Sequence, residues 1–334
     1  MRMSVPPVGP PPSASVGLQR PTFSVMIPVH NPTAHLEIAL ASVLVQDVQP
    51  RDMQIAIVDD GSDEDITARV RALDPSGRIE IHRFPGQQGL ARNLNRSIGL
   101  SRGHLVHLLH QDDYVLPGFY ASMRRAFERA PTAGMAFCRT RIVDGSGRPQ
   151  KLTSGPRLWS GVVNGWVSKI ATRQRVQAPS AVVARSTYEQ VGGYREDLRF
   201  ALDWEMWVRI AVRYAVWYER GALAAYRRHA HSETVRVRAD ALAWPDVCHA
   251  IRLNSEHCRS WGHGDVSSLS AAWYTRSAMR EALREHVAGR TESTRRTVAQ
   301  CRDIIALMDD ARSRGALERR LASVQGRLGC HKSC

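Results

Sequence analysis

The chain has 334 residues, 43% hydrophobic and 23% charged, a balance ordinary for a globular protein that excludes a fibrous or wholly disordered one. Lysine and arginine outnumber aspartate and glutamate by 46 to 32, for a net charge of +14. That charge favours a polyanion, an anionic membrane surface or a phosphorylated substrate without choosing among them. The six cysteines (Cys138, Cys248, Cys258, Cys301, Cys330, Cys334) form no CxxC pair, which argues against a disulfide framework and for a reducing compartment, the cytoplasm by default.

The N-terminal stretch MRMSVPPVGPPPSASVGLQRP lacks the roughly 7–15 apolar residues of a secretory signal, and its Pro, Ser and Gly content predicts disorder over residues 1–21. From Thr22 onward, strands and helices alternate. FSVMIPV (23–29) reads as a short buried strand, then a turn at NPT leads to an apolar-periodic helix over 34–46. MQIAIVDD (53–60) is a second strand ending in acid, with Ser62 a candidate helix cap after it. RIEIHRF (78–84), LARNLNRSIGLS (90–101) and HLVHLLH (104–110) continue as strand, helix and strand. This spacing predicts βαβ units and a parallel sheet covered by helices.

In such a sheet, ligands bind outside the carboxyl ends of the strands. The unusual polar residues fall at those ends: Pro28 and His30, Asp59 and Asp60, Asp112 and Asp113. Residues 134–238 alternate less regularly, with strands expected at 180–185 and 217–229 and a helix at 202–214. From about Ala239 the chain reads as helical and Arg-rich, with breaks near Gly262–Asp265, Gly289 and Gly315. Residues 221–334 hold 19 basic and 12 acidic side chains. No segment offers the ~20 apolar residues that cross a bilayer. The terminal CHKSC carries metal-ligand types, but a tail this short is ordinarily without a site.

The ligand is not a dinucleotide. PVHNPT after the first strand has no GxGxxG, and no GxxxxGK[ST] occurs anywhere. Two adjacent acids at a strand end suit a divalent cation that neutralises a diphosphate. Six segments then occur in order: VMIPVHNPTAHLEIALASVLVQ, IVDDGSDED, QQGLARNLNRSIGLSRG, LLHQDDYVLPG, VGGYREDLRFALDWEMWVRIA and YRRHAHS. Together they resemble the inverting GT-A glycosyltransferases of family two, over about residues 22–232.

The resemblance implies an α/β GT-A fold (Rossmann-like, a mixed sheet flanked by helices) over 22–238, with a helical C-terminal extension over 239–334. The implied activity moves a sugar from a UDP-, dTDP- or GDP-sugar to the hydroxyl of a sugar or lipid-linked acceptor, in polysaccharide, glycolipid or glycoconjugate synthesis at the cell surface. Pro28, His30, Asp59, Asp60, Arg92 and Asn93 would hold the nucleotide, one of the two aspartates accepting from a pyrimidine N3–H. Asp112 would meet Mn2+ or Mg2+ with His229 and Asp113. His110 stands where the family's motif has an aspartate, and its imidazole either ligates the ion or contacts sugar or phosphate. Asp203 matches the family's general base, although the acid that usually precedes it is Leu202 here. Trp204 is the candidate sugar platform.

Plainer readings accompany each of these: turn acids and helix caps for Asp59, Asp60 and Asp203, a surface charge for Arg92, and core packing for the tryptophan. A sugar-1-phosphate nucleotidyltransferase would need a glycine-rich, lysine-bearing loop after the first strand, which PVHNPTAH lacks. A nucleic-acid binder would interleave basic and aromatic residues, whereas the arginines here are spread over helices, so no nucleic acid is expected. RSAMREALREHVAGR (276–290) sets Met279, Leu283 and Val287 beside arginines. It is either a peripheral contact with the anionic inner face of a membrane or a face packed on the catalytic domain or on a second subunit of a homodimer.

Overall fold

A computed structural model describes residues 5–9, 20–230, 232–239 and 242–328. Most of the segment expected to be disordered, His231, and the CHKSC tail lie outside the described residues. In chain order the elements are β1 (Phe23–Val29), α1 (His35–Leu44), β2 (Met53–Asp59), α2 (Thr67–Leu73), β3 (Ile79–Arg83), α3 (Leu90–Leu100), β4 (Leu105–Leu108), β5 (Tyr114–Val115) and α4 (Phe119–Arg129). There follow β6 (Ala133–Asp144), β7 (Pro149–Leu152), β8 (Gly161–Val162), α5 (Trp166–Thr172), β9 (Ala181–Ala184), α6 (Arg185–Val191), α7 (Leu202–Ala211) and β10 (Ala215–Arg228). The C-terminal helices are α8 (Glu233–Ala239), α9 (Ala243–Ser260), α10 (Ser267–Val287), α11 (Thr291–Ile305) and α12 (Ala311–Arg327).

The described residues form two compact units. The first takes those up to Asn164, then Val176–Asp197 and Tyr214–Ala230. The second takes Gly165–Arg175, Leu198–Arg213 and those beyond Ala230. Residues 165–175 and 198–213, which sequence order places within 22–238, thus share a unit with the C-terminal helices.

In the first unit one sheet runs β3-β2-β1-β4-β9-β6-β10-β5, with β7 beside β6 and β8 beside β10. β3, β2, β1 and β4 are mutually parallel, and every residue of β1 and β2 is buried, the unbroken apolar reading of strands covered on both faces. The parallel run that the alternation predicts ends at β4, and beyond it the sheet is mixed, as the resemblance implies. There β9 enters antiparallel between β4 and β6, while β6 and β10 are parallel to each other. The stretch between β6 and β9 supplies short antiparallel strands where a simple crossover helix would have kept the direction. Val25, Ile27, Ile55 and Ile57 pack with Leu36, Leu40, Phe119 and Tyr120 in the core beneath this sheet.

Two backbone features shape the carboxyl ends of the first strands. Gly61 has φ +73°, and a Cβ there would sit 2.7 Å from the Gly86 carbonyl carbon, so the loops after β2 and β3 touch main chain to main chain. Asn31, just past β1, adopts φ 44°, a left-handed conformation that asparagine tolerates better than most residues. Its side chain exchanges hydrogen bonds with Asp63, Nδ2 donating to Oδ2 at 3.0 Å and Oδ1 accepting from the backbone N at 2.8 Å.

In the second unit, Trp204, Met206, Trp207 and Ile210 of α7 are buried, as are Val247 and Ile251 of α9, Ala271, Ala278 and Met279 of α10, and Cys301 and Ile304 of α11. α10 packs on α9, α11 and α12. Met279 is only 3% exposed and Val287 is 86% exposed, so the apolar stripe expected along 276–290 is buried in this unit at Met279 and open at Val287. Among the described residues, no helix is long and apolar enough to cross a membrane.

Candidate functional site

β4 ends at Leu108, and the chain turns at once, the Asp113 amide donating to the His110 carbonyl at 3.1 Å. β5 then pairs with β10, Tyr114 opposite Ala225 and Val115 opposite Ala224. That pairing brings the end of β10 alongside the acids. The Arg227 amide donates to Asp113 Oδ1 at 2.9 Å, and Arg227 Nε donates to the Asp112 carbonyl at 2.9 Å. His229 follows, its Nε2 3.1 Å from Asp112 Oδ2.

His35, the first residue of α1, reaches the same place from the end of β1, with Nδ1 3.8 Å from Asp112 Oδ1. One ligand atom from each of His35, Asp112 and His229 lies within 4.8 Å of the other two. Asp112 Oδ1 and His229 Nε2 are buried without a hydrogen-bond partner. The short approach of His229 to Asp112 is thus an ion-pair distance without hydrogen-bond alignment. Leaving such atoms unsatisfied costs about 1–3 kcal/mol each, and a divalent cation satisfies all of them, so the residues present fit one. Asp113 is 2% exposed and turned to the Arg227 amide. Neither Asp113 nor His110 is among the three residues brought together.

At the ends of β1 and β2 a second group assembles. Pro28 lies opposite Val58 in the β1–β2 register. The His30 amide donates to Gln111 Oε1 at 3.0 Å, Gln111 Nε2 donates back to the His30 carbonyl at 3.2 Å, and His30 Nδ1 is 3.1 Å from the Asp60 carbonyl. Asp59 is fully buried. Its Oδ1 accepts from the Ser62 amide at 3.0 Å, while Oδ2 has no hydrogen-bond partner and lies 3.6 Å from Arg83 Nε. Asp60 Oδ2 accepts the amides of Gln88 and Gly89 at 2.9 and 2.8 Å, and Oδ1 accepts from Arg96 at 2.8 Å. The Arg96 guanidinium also covers the Phe84 ring at 4.4 Å.

Asn93 is buried and donates to the Val58 carbonyl at 2.9 Å, tying α3 to the end of β2. Arg92 is 52% exposed and bonded to Glu196 at 2.7 Å and Gln88 at 2.8 Å. In this structure its guanidinium is therefore a surface ion pair.

Asp203 lies in the first turn of α7, where a carboxylate is favoured by the helix dipole. It is not the cap expected of it, because the N-cap position is Ala201. A carboxylate from α9 binds the turn ahead of the helix instead: Asp246 accepts the amides of Arg199, Phe200 and Ala201 at 3.1, 2.8 and 2.7 Å. Glu205, fully buried, meets Arg209 Nη2 at 2.9 Å and His257 Nε2 at 2.8 Å. Burial alone would raise the Glu205 pKa, but the Arg209 charge and the His257 hydrogen bond outweigh it and hold the carboxyl below its ordinary range. Trp204 corrects an expectation. It is 1% exposed, its indole N–H donates to the Ile170 carbonyl at 2.7 Å, and its ring packs on Tyr274 at 4.9 Å. An indole so enclosed offers no face to a sugar.

Sequence reasoning missed His35, Gln111, Arg96, Asp246 and His257. His35 had a signal, since it follows the first strand's carboxyl end as His30 does. Asp246 and His257 had none, because their partners are distant in sequence.

Residues 24–190, half of the chain, match the Glycosyl transferase family 2 profile. An uncharacterised protein of Mycobacterium tuberculosis (strain CDC 1551 / Oshkosh) is 31% identical over 245 residues, spanning 67% of this chain and 73% of the relative. The succinoglycan biosynthesis protein ExoU of Rhizobium meliloti (strain 1021) is 27% identical over 228 residues, spanning 64% of each. Among solved structures, S. aureus TarS 1-349 in complex with UDP-GlcNAc superposes with a TM-score of 0.69 at 15% identity, covering 93% of this chain and 91% of that one. That likeness is one of fold.

Proposed function

Because the chain belongs to glycosyl transferase family 2, we propose that it transfers a sugar, with inversion, from a nucleoside-diphosphate sugar to an acceptor hydroxyl, with a divalent ion, Mn2+ or Mg2+, held by Asp112 and His229. The observation that carries this reading is the buried Asp112 Oδ1 and His229 Nε2, both without a hydrogen-bond partner, beyond the carboxyl end of β4. A bound ion would supply the positive charge that the departing diphosphate needs.

The chain's own residues divide the remaining work. Asp59 or Asp60 would accept from the base of a UDP-, dTDP- or GDP-sugar, beside Pro28 and His30, while Asn93 keeps the end of β2 aligned with α3. Arg92 would have to exchange Glu196 for phosphate. Asp203 would take the proton from the acceptor hydroxyl as its oxygen attacks the anomeric carbon, and a single displacement by that hydroxyl inverts the centre. The ExoU likeness supports a sugar or lipid-linked acceptor in polysaccharide synthesis. Any peripheral contact with the anionic cytoplasmic leaflet would run through the exposed arginines of α10, Arg276, Arg280 and Arg284.

A thermal-shift series with UDP-, dTDP- and GDP-sugars, with and without Mn2+, tests the reading. A ligand that binds only the folded chain adds ~2.7 kcal/mol at a hundredfold excess over its Kd. One donor class should stabilise the protein more with Mn2+ than without, and Asp112→Asn should abolish the difference. No stabilisation by any donor would overturn the proposal.

A further inference from the structure

The ring of His35 is fixed from behind. Its Nε2 lies 3.2 Å from the Gly145 carbonyl oxygen, in the turn between β6 and β7. A carbonyl oxygen can only accept, so Nε2 carries the proton and Nδ1 keeps its lone pair. Nδ1 faces Asp112 Oδ1, and Thr33 Oγ1 lies 3.0 Å from it, able to donate its hydroxyl hydrogen to that lone pair. The rings of His35 and His229 stand 5.4 Å apart, centroid to centroid.

The Gly145 carbonyl is itself positioned by Arg227 Nη1, which donates to it at 3.1 Å. The same arginine bonds the Asp112 carbonyl and the Asp113 carboxylate. One side chain at the end of β10 thus sets both the acid loop and the oxygen that orients His35. This is the outer-shell pattern that fixes the tautomer of a metal-binding histidine.

We propose that His35 is a third protein ligand of the cation, and that the resulting set of two imidazoles and one carboxylate selects a transition-metal ion such as Mn2+ or Co2+ over Mg2+. Mg2+ is hard, binds oxygen and gives up water reluctantly. Imidazole nitrogen suits the first-row transition ions increasingly from Mn2+ to Co2+ and beyond, and Mn2+, although it shares the liking of Mg2+ for carboxylate, accepts nitrogen more readily than Mg2+ does. His110, which stands where the family's motif has an aspartate, lies outside the cluster, leaving the site with one carboxylate. The inference rests on the reading of Asp112 and His229 as the cation site, and its test separates the two.

MnCl2, CoCl2 and MgCl2 are titrated calorimetrically into the full chain, and the visible absorption of the Co2+ form is recorded. The unaltered chain should bind Mn2+ and Co2+ more than about tenfold more tightly than Mg2+. His35→Ala should weaken Mn2+ and Co2+ by at least about tenfold and change the Co2+ spectrum, while Mg2+ affinity moves only a few-fold. His35→Asp, which returns an oxygen ligand, should restore binding and shift the preference toward Mg2+. Thr33→Val removes the hydroxyl that competes for Nδ1 and should bind Mn2+ at least as tightly; weaker binding would count against the lone-pair assignment. Equal affinity for Mg2+ and Mn2+, or an unchanged Co2+ spectrum in His35→Ala, would overturn the inference. Asp112→Asn separates the two readings. Loss of all ion binding there with His35→Ala unaffected rejects only the role of His35, whereas retained binding rejects the cation site itself. Circular-dichroism melts in a chelator confirm that each variant is folded.

Discussion

His257 Nε2 lies 2.8 Å from Glu205 Oε1, and Arg209 Nη2 meets the other oxygen of that buried carboxylate at 2.9 Å. The pairing joins α9 to α7 through a charge that water cannot reach. Removing it by Glu205→Ala takes the carboxylate away from a buried arginine, for which a loss of about 3–5 kcal/mol is expected in denaturant unfolding. The Glu205 pKa is lowered in the folded chain from its ordinary value of 4.5. Its stabilisation is therefore complete above that value and is lost as pH falls through the folded pKa. Thermal melts below pH 4.5 should show a steep acid loss in the unaltered chain and a shallower one in Glu205→Gln.

Asp246 closes three amides ahead of α7, in the turn leading to Asp203. Asp246→Ala should cost about 1–3 kcal/mol, as leaving backbone amides without their acceptor does. If Asp203 is the base, turnover should fall with it while the KM for the donor stays nearly constant. Unfolding curves and steady-state kinetics with an identified donor and acceptor check both parts.

Asp203→Asn keeps the shape of the side chain and removes the proton acceptor. Turnover should drop by roughly 10²–10⁴, with donor affinity unchanged by calorimetry. Activity within a few-fold of the unaltered enzyme would assign the base elsewhere.

The two acids after β2 should separate in their effects. Asp60 holds two amides and Arg96, so Asp60→Ala should lower stability by about 1–3 kcal/mol along with affinity for the nucleoside diphosphate that the thermal-shift series selects. Asp59→Asn retains an acceptor oxygen for the Ser62 amide and should weaken that nucleotide at a smaller cost in stability. Calorimetric titration with UDP, dTDP or GDP so chosen, paired with melting curves, makes the comparison.

The exposed arginines of α10 define the membrane test. Each charge near an anionic surface contributes about 1 kcal/mol, so co-sedimentation with anionic vesicles should weaken in salt and when Arg276, Arg280 and Arg284 are replaced by glutamine. Neutral vesicles should bring down neither protein.

β1, β2 and β4 were legible because strands buried on both faces read as mostly apolar runs, while β3, only partly buried, was legible from isoleucine alternating with polar residues. β6 was not, since Arg139, Thr140 and Arg141 interrupt its apolar pattern, and only the neighbouring strands make that stretch extended. The order of their segments pointed to Asp112 and His229, which the fold places 3.1 Å apart. His35 carried a signal only in its place after β1, because its orientation depends on Gly145 and Arg227, brought beside it by the sheet. Trp204 misled for a related reason: its place beside Asp203 in sequence says nothing of Tyr274, whose ring encloses it.

The contact of Gly61 with Gly86 acts as a mechanical stop. Where two loops meet through side chains, one substitution can move them apart by a methylene, and the gap drifts as a lineage diverges. Here the loops after β2 and β3 meet at bare main chain, so no side chain is available to tune their spacing, and any added carbon at Gly61 collides with backbone. The distance between these loops is therefore set by main chain in this protein, and adjustment at this end of the sheet is left to side chains of the same loops, such as Phe84 under Arg96.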